Sequence, residues 1–327
     1  MNNRPLISVI VPMYNCGEYI ESCLASLVGQ TYENIEIIVV DDGSTDNGGY
    51  ICRTFAERDG RIKYIYQQNG GVSAARNNAL DHVNGEWISF CDSDDYAEPD
   101  MLEHLIRTAL GSNADIVQCG VMIEFSDRSE QLPCPEREQT VSDFSQAEKS
   151  ALRFYGKTVY PKLFRRELLN GLRFDSTYPI GEDMLFGVQA AMRAKKIVMT
   201  NEYKYHYFQR AGSVCNAAPT AASLVSSRNA LNEILRLLPE KCKAAEHYFD
   251  EQLRNDLDMC SKFARFSPEN SSEIVKEVRN ELKSNLRYIL KNGDFSEKEK
   301  LKTRMIVNAW RFYSLIVRRK KREVLQN

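Results

Sequence analysis

Apolar and polar positions follow two rhythms over the first 125 residues. Ile7–Val11, Ile35–Val40, Ile62–Tyr66, Trp87–Cys91 and Ile116–Ile123 are short runs of strand length, rich in β-branched or aromatic residues. Between them apolar residues return at helical spacing. Tyr19, Ile20, Cys23, Leu24 and Leu27 mark one face of a helix over Glu18–Gln30, and Tyr50, Ile51 and Phe55 mark another over Asn47–Arg58. A third, Met101–Leu110, follows the turn at Glu98-Pro99-Asp100. Strands that are apolar on both faces and separated by helices predict an α/β fold, its mainly parallel sheet sandwiched by helices. Ligands of such sheets collect at the carboxyl ends of the strands, so chemistry is expected in the loops that follow them.

The pattern changes after residue 125. Residues 126–150 are polar, with Pro133 and Pro135, and predict a long connecting loop. Lys162–Leu169 has a helical pattern stopped by Gly171, and a second helix is predicted from about Met184 to Ala194. Beyond Pro219 the chain is almost wholly helical in pattern. Leu224, Leu231, Ile234, Leu235 and Leu238 form one stripe, followed by Tyr248–Phe266, Ile274–Leu290 and Glu297–Val324. The predicted division is residues 1–216, with halves 1–125 and 126–216, followed by an α-helical region over 217–327.

Composition adds exclusions. With 43% hydrophobic and 27% charged residues in 327, the chain is globular rather than disordered. Its formal charge of −2 hides an asymmetry, because residues 296–327 hold ten Lys/Arg against three Glu, leaving the remainder at −9. An acidic body argues against a nucleic-acid partner. No apolar stretch approaches the roughly 18–20 residues that span a bilayer, and the apolar run near the N-terminus is too short for a signal peptide. The nine cysteines form no Cys-x-x-Cys pair, which argues against a zinc cage and predicts reduced thiols in a cytoplasmic protein.

Four strand ends carry unusual polar sequences. Pro12-Met-Tyr14-Asn15-Cys-Gly17 has one glycine where a dinucleotide cradle would have three. An aromatic residue and an amide there suit base or ribose contacts, while Asn15 alone also reads as a helix cap. Asp41-Asp42-Gly43-Ser44-Thr45-Asp46 includes good capping residues, yet two adjacent carboxylates exceed what a cap requires. Asn69-Gly70-Gly71-Val72-Ser73-Ala74-Ala75-Arg76-Asn77 offers paired glycines, a helix start that favours anions, and Arg76 in its first turn; an ordinary turn with a surface arginine is the alternative. Asp92-Ser93-Asp94-Asp95 is the strongest signal. Three carboxylates in four residues repel one another unless a cation is present, and hard oxygen ligands point to Mg²⁺ or Mn²⁺. Farther on, the acids of Gly181-Glu182-Asp183 read as a helix cap or as a base. His206, in the aromatic run Tyr205–Phe208, reads as a packed ring or a further metal ligand.

In this order the motifs resemble the family 2 glycosyltransferases, inverting enzymes of the GT-A fold. The resemblance rests on Pro12-x-Tyr14-Asn15, Val40-Asp41-Asp42-Gly43-Ser44-Thr45-Asp46, Asn69–Asn77, Asp92-Ser93-Asp94-Asp95, Tyr160-Pro-Lys162-Leu163 and Gly181-Glu182-Asp183, and spans residues 6–216. Tyr160 stands where many relatives have Trp. The resemblance implies that residues 1–125 bind a nucleotide-sugar donor, a UDP-sugar, through Pro12, Tyr14, Asn15, Asp42, Gly71, Arg76, Asp92 and Ser93. Asp42 would read the base and Arg76 would lie near ribose or phosphates. Asp94 would hold a divalent metal on the diphosphate, and Asp183 would be the catalytic base in the half that takes a saccharide acceptor, lipid-linked by family analogy, for cell-surface polysaccharide. A haloacid-dehalogenase-type phosphohydrolase is the rival suggested by Phe90-Cys91-Asp92-Ser93-Asp94, but its motif would come first in the strand series and would leave Asp42 unexplained. An inactive nucleotide-sugar-binding scaffold is the non-enzymatic rival, and the presence of Asp94 and Asp183 argues against it.

The basic tail has two readings. Met305–Val317 is apolar apart from a few positions, and Arg318–Arg322 supplies five consecutive cations. Together they resemble an interfacial helix able to sit on an anionic membrane as a peripheral protein. Packing against the preceding helices, with a frayed basic end, is the other.

Overall fold

The structure is a computed structural model, and it describes residues 4–156, 158–210, 220–266 and 271–317. Ten strands form one sheet: β1 (Ile7–Met13), β2 (Ile35–Asp41), β3 (Ile62–Tyr66), β4 (Trp87–Phe90), β5 (Tyr96–Ala97), β6 (Ile116–Glu124), β7 (Ser129–Gln131), β8 (Gln139–Val141), β9 (Lys162–Arg165) and β10 (Ile197–Phe208). Their order is β3-β2-β1-β4-β9-β6-β10-β5, with β7 on β6 and β8 on β10. The long ladders β1–β2, β2–β3 and β6–β10 are parallel, as is β1–β4. The antiparallel pairings are short.

Side chains of β1 and β2 alternate between two cores, which is why both strands read as mainly apolar runs. Ile10, Ile38, Val40 and Phe90 pack with α3 (Val72–Leu80), α5 (Lys149–Tyr155) and α6 (Glu182–Arg193). Val9, Val11, Ile37 and Val39 face α1 (Ile20–Val28), α2 (Gly48–Arg58) and α4 (Met101–Ser112). Eight cysteines among the described residues are unpaired, seven of them buried; Cys215 lies outside the described residues.

Two sequence expectations are corrected. Lys162–Leu169 is not a helix: Lys162–Arg165 is β9 and Arg166–Leu169 a single 3-10 turn. Its apolar spacing fits either form, and the open slot between β4 and β6 decides, because both neighbours pair with its backbone. The segment 126–150 is not a plain loop either. It contains β7, β8, a 3-10 turn at Phe144–Gln146 and the start of α5. These elements are too short to declare a period.

The remaining helices are α7 (Ala221–Leu237), α8 (Lys243–Phe266), α9 (Ser271–Ser284), α10 (Leu286–Lys291) and α11 (Glu297–Asn308). Ala230, Leu231 and Ile234 of α7 and Tyr248 of α8 complete the core over α6. Leu253, Leu257, Val278, Leu282 and Ile306 form a separate core among α8, α9 and α11. Buried Asp250 ties the two regions, accepting from Lys149 Nζ (3.0 Å), Tyr288 OH (2.8 Å) and Asn292 Nδ2 (3.1 Å). The helix predicted over Glu297–Val324 is interrupted at Ala309, where φ is −137° and ψ 44°; residues 310–317 are helical again. None of the described helices is long and apolar enough to cross a membrane.

Candidate active site

The loops after β1, β2 and β3 are sewn together by polar side chains. Asn15 does not cap a helix: it adopts φ 46°, its Oδ1 accepts from Thr45 N (2.8 Å), and its N–H donates to Ser44 Oγ (2.9 Å). Pro12 is buried in register with Val40, and Tyr14 beside it stays 49% exposed. The two aspartates after β2 divide their work. Buried Asp41 accepts from Ser44 N (2.8 Å) and Tyr64 OH (2.7 Å), pinning its own loop to β3. Asp42 accepts from Gln67 Nε2 (2.7 Å), Gly70 N (2.8 Å) and Gly71 N (2.8 Å). Gly71 has φ +87° with no atom near its missing Cβ, so backbone conformation demands the glycine and the space beside it stays open.

At the end of β4 the acids are poorly compensated. Asp95 is buried, accepting from Tyr205 OH (2.7 Å) and Phe208 N (2.9 Å), and burial pushes its carboxyl well above the ordinary range. Tyr205 OH also accepts from Asp92 N (3.1 Å), so β10 holds both ends of the loop. Ser93 is buried beneath it. Asp94 accepts from Arg210 Nε (2.7 Å); burial, then Asp92, raise its carboxyl. His206 is engaged elsewhere, its Nδ1 at Glu124 Oε1 (2.7 Å) and Nε2 at Glu98 Oε1 (2.9 Å), with its ring stacked on Tyr96 at 4.4 Å.

Arg76 joins this loop to α6. Its guanidinium is buried, donating from Nη1 to Glu182 Oε1 (2.9 Å) and from Nη2 to Asp92 Oδ1 (2.9 Å), above the Phe174 ring at 5.2 Å. The arginine is therefore an internal strut rather than a surface cation. Asp183, the residue after Glu182, accepts from its neighbour Met184 N (2.8 Å). Burial, then the Glu182 charge, push its carboxyl up to about 7, against the lowering pull of Arg76. Gly181 sets the turn before it with φ +99°, and a Cβ there would lie 2.7 Å from the Ala230 methyl of α7. Ser226 of α7 donates to Ile180 O (2.9 Å) and accepts from Ile180 N (3.1 Å), so α7 backs the turn that carries Asp183.

Among the described residues, no three His, Cys, Asp or Glu side chains converge into a metal cage. An ion carried in with a diphosphate needs only one or two protein carboxylates, and Asp92–Asp94 supplies them, desolvated and answered now by arginines. The donor set fits Mg²⁺ or Mn²⁺ on those terms. Sequence reasoning weighed Glu182 as a cap or a base rather than as a partner of Arg76, and missed Tyr205, Gln67 and Arg210 as working parts. Arg210 carried one usable signal, being the first cation after the aromatic run that ends β10.

The carboxylates of Asp92 and Asp94 have the chemistry to take a hard cation, and the raised Asp183 carboxyl has the chemistry to take up a proton near neutrality. Residues 8–173 match the family model described as Glycosyl transferase family 2, and the chain belongs to that family. EpsJ, a glycosyltransferase of Bacillus subtilis (strain 168), is 32% identical over 337 residues, 95% of this chain and 94% of EpsJ. Glycosyltransferase GlyA of Streptococcus pneumoniae serotype 4 is 37% identical over 64% of this chain and 31% of its own length. In three dimensions the chain is similar to S. aureus TarS 1-349 in complex with UDP-GlcNAc, with TM-score 0.63 and 22% identity over 98% of this chain and 91% of that one. It is also similar to the mannosyltransferase PcManGT from Pyrobaculum calidifontis in complex with GDP-Man and Mn²⁺, with TM-score 0.57 and 18% identity over 97% and 88%. These likenesses establish the GT-A fold.

Proposed function

We propose that this glycosyltransferase moves a sugar from a uridine diphosphate donor to a hydroxyl of a saccharide, lipid-linked and destined for cell-surface polysaccharide, with inversion at the anomeric carbon. The observation that carries the reading is the Arg76 strut, which ties Glu182, the neighbour of Asp183, to Asp92 of the acidic loop, while burial raises the Asp183 carboxyl to about 7. A carboxylate poised near neutrality suits a general base. Asp183 takes the proton of the acceptor hydroxyl as that oxygen bonds to the anomeric carbon and the carbon–oxygen bond to the diphosphate breaks. Asp94, with Asp92 beside it, would hold a divalent ion that, when bound, offsets charge on the departing diphosphate. Asp42 and the open space at Gly71, with Pro12, Tyr14 and Asn15 of the neighbouring loop, form the base and ribose end; Ser93 and Arg76 support the diphosphate end from beneath. The UDP-GlcNAc of TarS supports a uridine donor.

A panel of UDP-sugars and GDP-mannose, with Mn²⁺, Mg²⁺ or chelator, tests this directly. Release of UDP from one donor, abolished by chelator, is the expected result. Donor binding without release for every sugar and acceptor tried would return the reading to an inactive scaffold.

A further inference from the structure

We propose that the outer stripe of the last two helical segments is a docking surface for an anionic lipid bilayer. The inference is independent of the donor and base assignments. Sequence alone left two readings for this tail, interfacial or packed, and the structure divides its residues between them. The inner side is packed. Thr303, Ile306, Val307 and Tyr313 are buried, and Tyr313 OH lies 2.8 Å from Ser261 Oγ. Arg279 caps the junction, donating to Ile306 O (2.9 Å) and Val307 O (3.1 Å) while its guanidinium sits 5.5 Å over the Trp310 ring. Both segments are thereby fixed to the body.

The outer side is unpartnered. Leu301, Phe312 and Leu315 are 57%, 61% and 66% exposed. Exposed Lys298 and Arg304 flank Leu301 three residues to either side on α11, exposed Arg311 precedes Leu315 by four residues in the following segment, and none of the three cations is in a salt bridge among the described residues. Glu297, the acid at its start, is answered by Lys300 at 2.9 Å. The sequence then continues into Arg318–Arg322, outside the described residues. Scattered apolar surface residues need no explanation. Three of them interleaved with three unpaired cations on the outer faces of these two segments match a surface that offers negative charge outside and hydrocarbon beneath. A second copy of the chain would oppose like charges along the whole stripe. A nucleic acid would use the cations and leave Phe312 and Leu315 idle.

Flotation of the full chain with phosphatidylcholine vesicles, with and without phosphatidylglycerol, tests the proposal. Binding is expected only with the anionic lipid. Phe312→Ser with Leu315→Ser should weaken it about tenfold or more, since two apolar side chains no longer enter the interface. Lys298→Gln, Arg304→Gln and Arg311→Gln should each cost about fivefold and flatten the salt dependence. Donor turnover in solution should stay unchanged in all of them. As a second readout, Phe312→Trp should have its emission quenched by brominated phosphatidylglycerol vesicles. Failure of the wild type to bind, absence of quenching, or indifference of binding to the Phe312/Leu315 pair overturns the proposal. So does equal affinity for duplex DNA, or a dimer that those two substitutions dissociate.

Discussion

The acids after β2 and the acids after β4 look alike in sequence and stand in opposite circumstances. Asp41 and Asp42 together accept hydrogen bonds from three backbone N–H groups, one amide and one phenol, all neutral donors supplied by nearby loops. Asp92 and Asp94 are answered by guanidinium groups from distant elements, and desolvation raises Asp94 and Asp95. Asp183, across the strut, shares this condition. The first set spends its lone pairs shaping a pocket. The second keeps charge in a poorly solvated place, which is where a cation or a proton can do chemistry.

Removing a group from the second set should therefore cost activity before stability. Asp183→Asn is expected to lower turnover by about 10²–10⁴-fold while donor affinity, read by calorimetry, changes less than about twofold. An equal fall in both would move Asp183 from base to binding residue. Asp94→Asn should abolish the Mn²⁺ stimulation of donor turnover, a loss of about 10²-fold if the ion supplies several kcal/mol. Its Tm should hold, because a desolvated carboxylate has been neutralised; a large fall in Tm would place Asp94 with the structural acids.

The strut connects the two behaviours through pH. Asp183 must be ionised to accept a proton, so kcat/KM should fall as pH drops through about 7. Arg76 favours the ionised form, so Arg76→Met should move that limb to higher pH. This variant also strands Glu182 and Asp92, at a cost of about 3–5 kcal/mol, and Arg76→Lys keeps the charge as a control. A limb that stays put in a folded Arg76→Met protein would break the link between strut and base. In the first set, Asp42→Ala should act the other way round. It leaves Gly70 N and Gly71 N without their acceptor and should cost about 2–3 kcal/mol of stability, with donor KM raised more than kcat is lowered.

The part of this arrangement that sequence discloses is the part built locally. β1 and β2 are legible because burial on both faces makes most positions apolar, and the acidic loops are legible because they follow such runs directly. Asp183 is found through its neighbours in the chain. What sequence hides is pairing at a distance. Arg76 reads as a surface arginine near phosphates because Asp92 and Glu182, 16 and 106 residues away, do not announce themselves as its partners. Asn15 reads equally as a cap until Thr45 is seen to use its carbonyl. β9 is a strand only because β4 and β6 leave it a slot, a fact of topology that the spacing of Leu163, Phe164, Leu168 and Leu169 cannot carry.

The smallest effect concerns Tyr205, where the contrast can be sharpened within one loop. Tyr205→Phe keeps the ring stacked on Tyr160 at 4.8 Å and removes only the hydroxyl. Asp95 then loses its 2.7 Å donor and Asp92 N its 3.1 Å acceptor. The expected cost is about 1–2 kcal/mol, with a modest fall in turnover as the Asp92–Asp94 loop loosens. The sign of its pH dependence follows from Asp95. Burial has already raised that carboxyl and the phenol lowers it, so losing the phenol raises it further. A raised folded value means the ionised form is the costly one. The Tm gap between variant and wild type should therefore stay constant at acid pH, where Asp95 is protonated in both folded proteins, and widen only as pH climbs through the raised folded range of Asp95. Adding Asp95→Asn should close most of the gap, since no buried charge then needs the phenol. A gap independent of pH, or one that Asp95→Asn leaves intact, would mean that the hydroxyl serves Asp92 N alone and that Asp95 belongs with the pinned acids after β2.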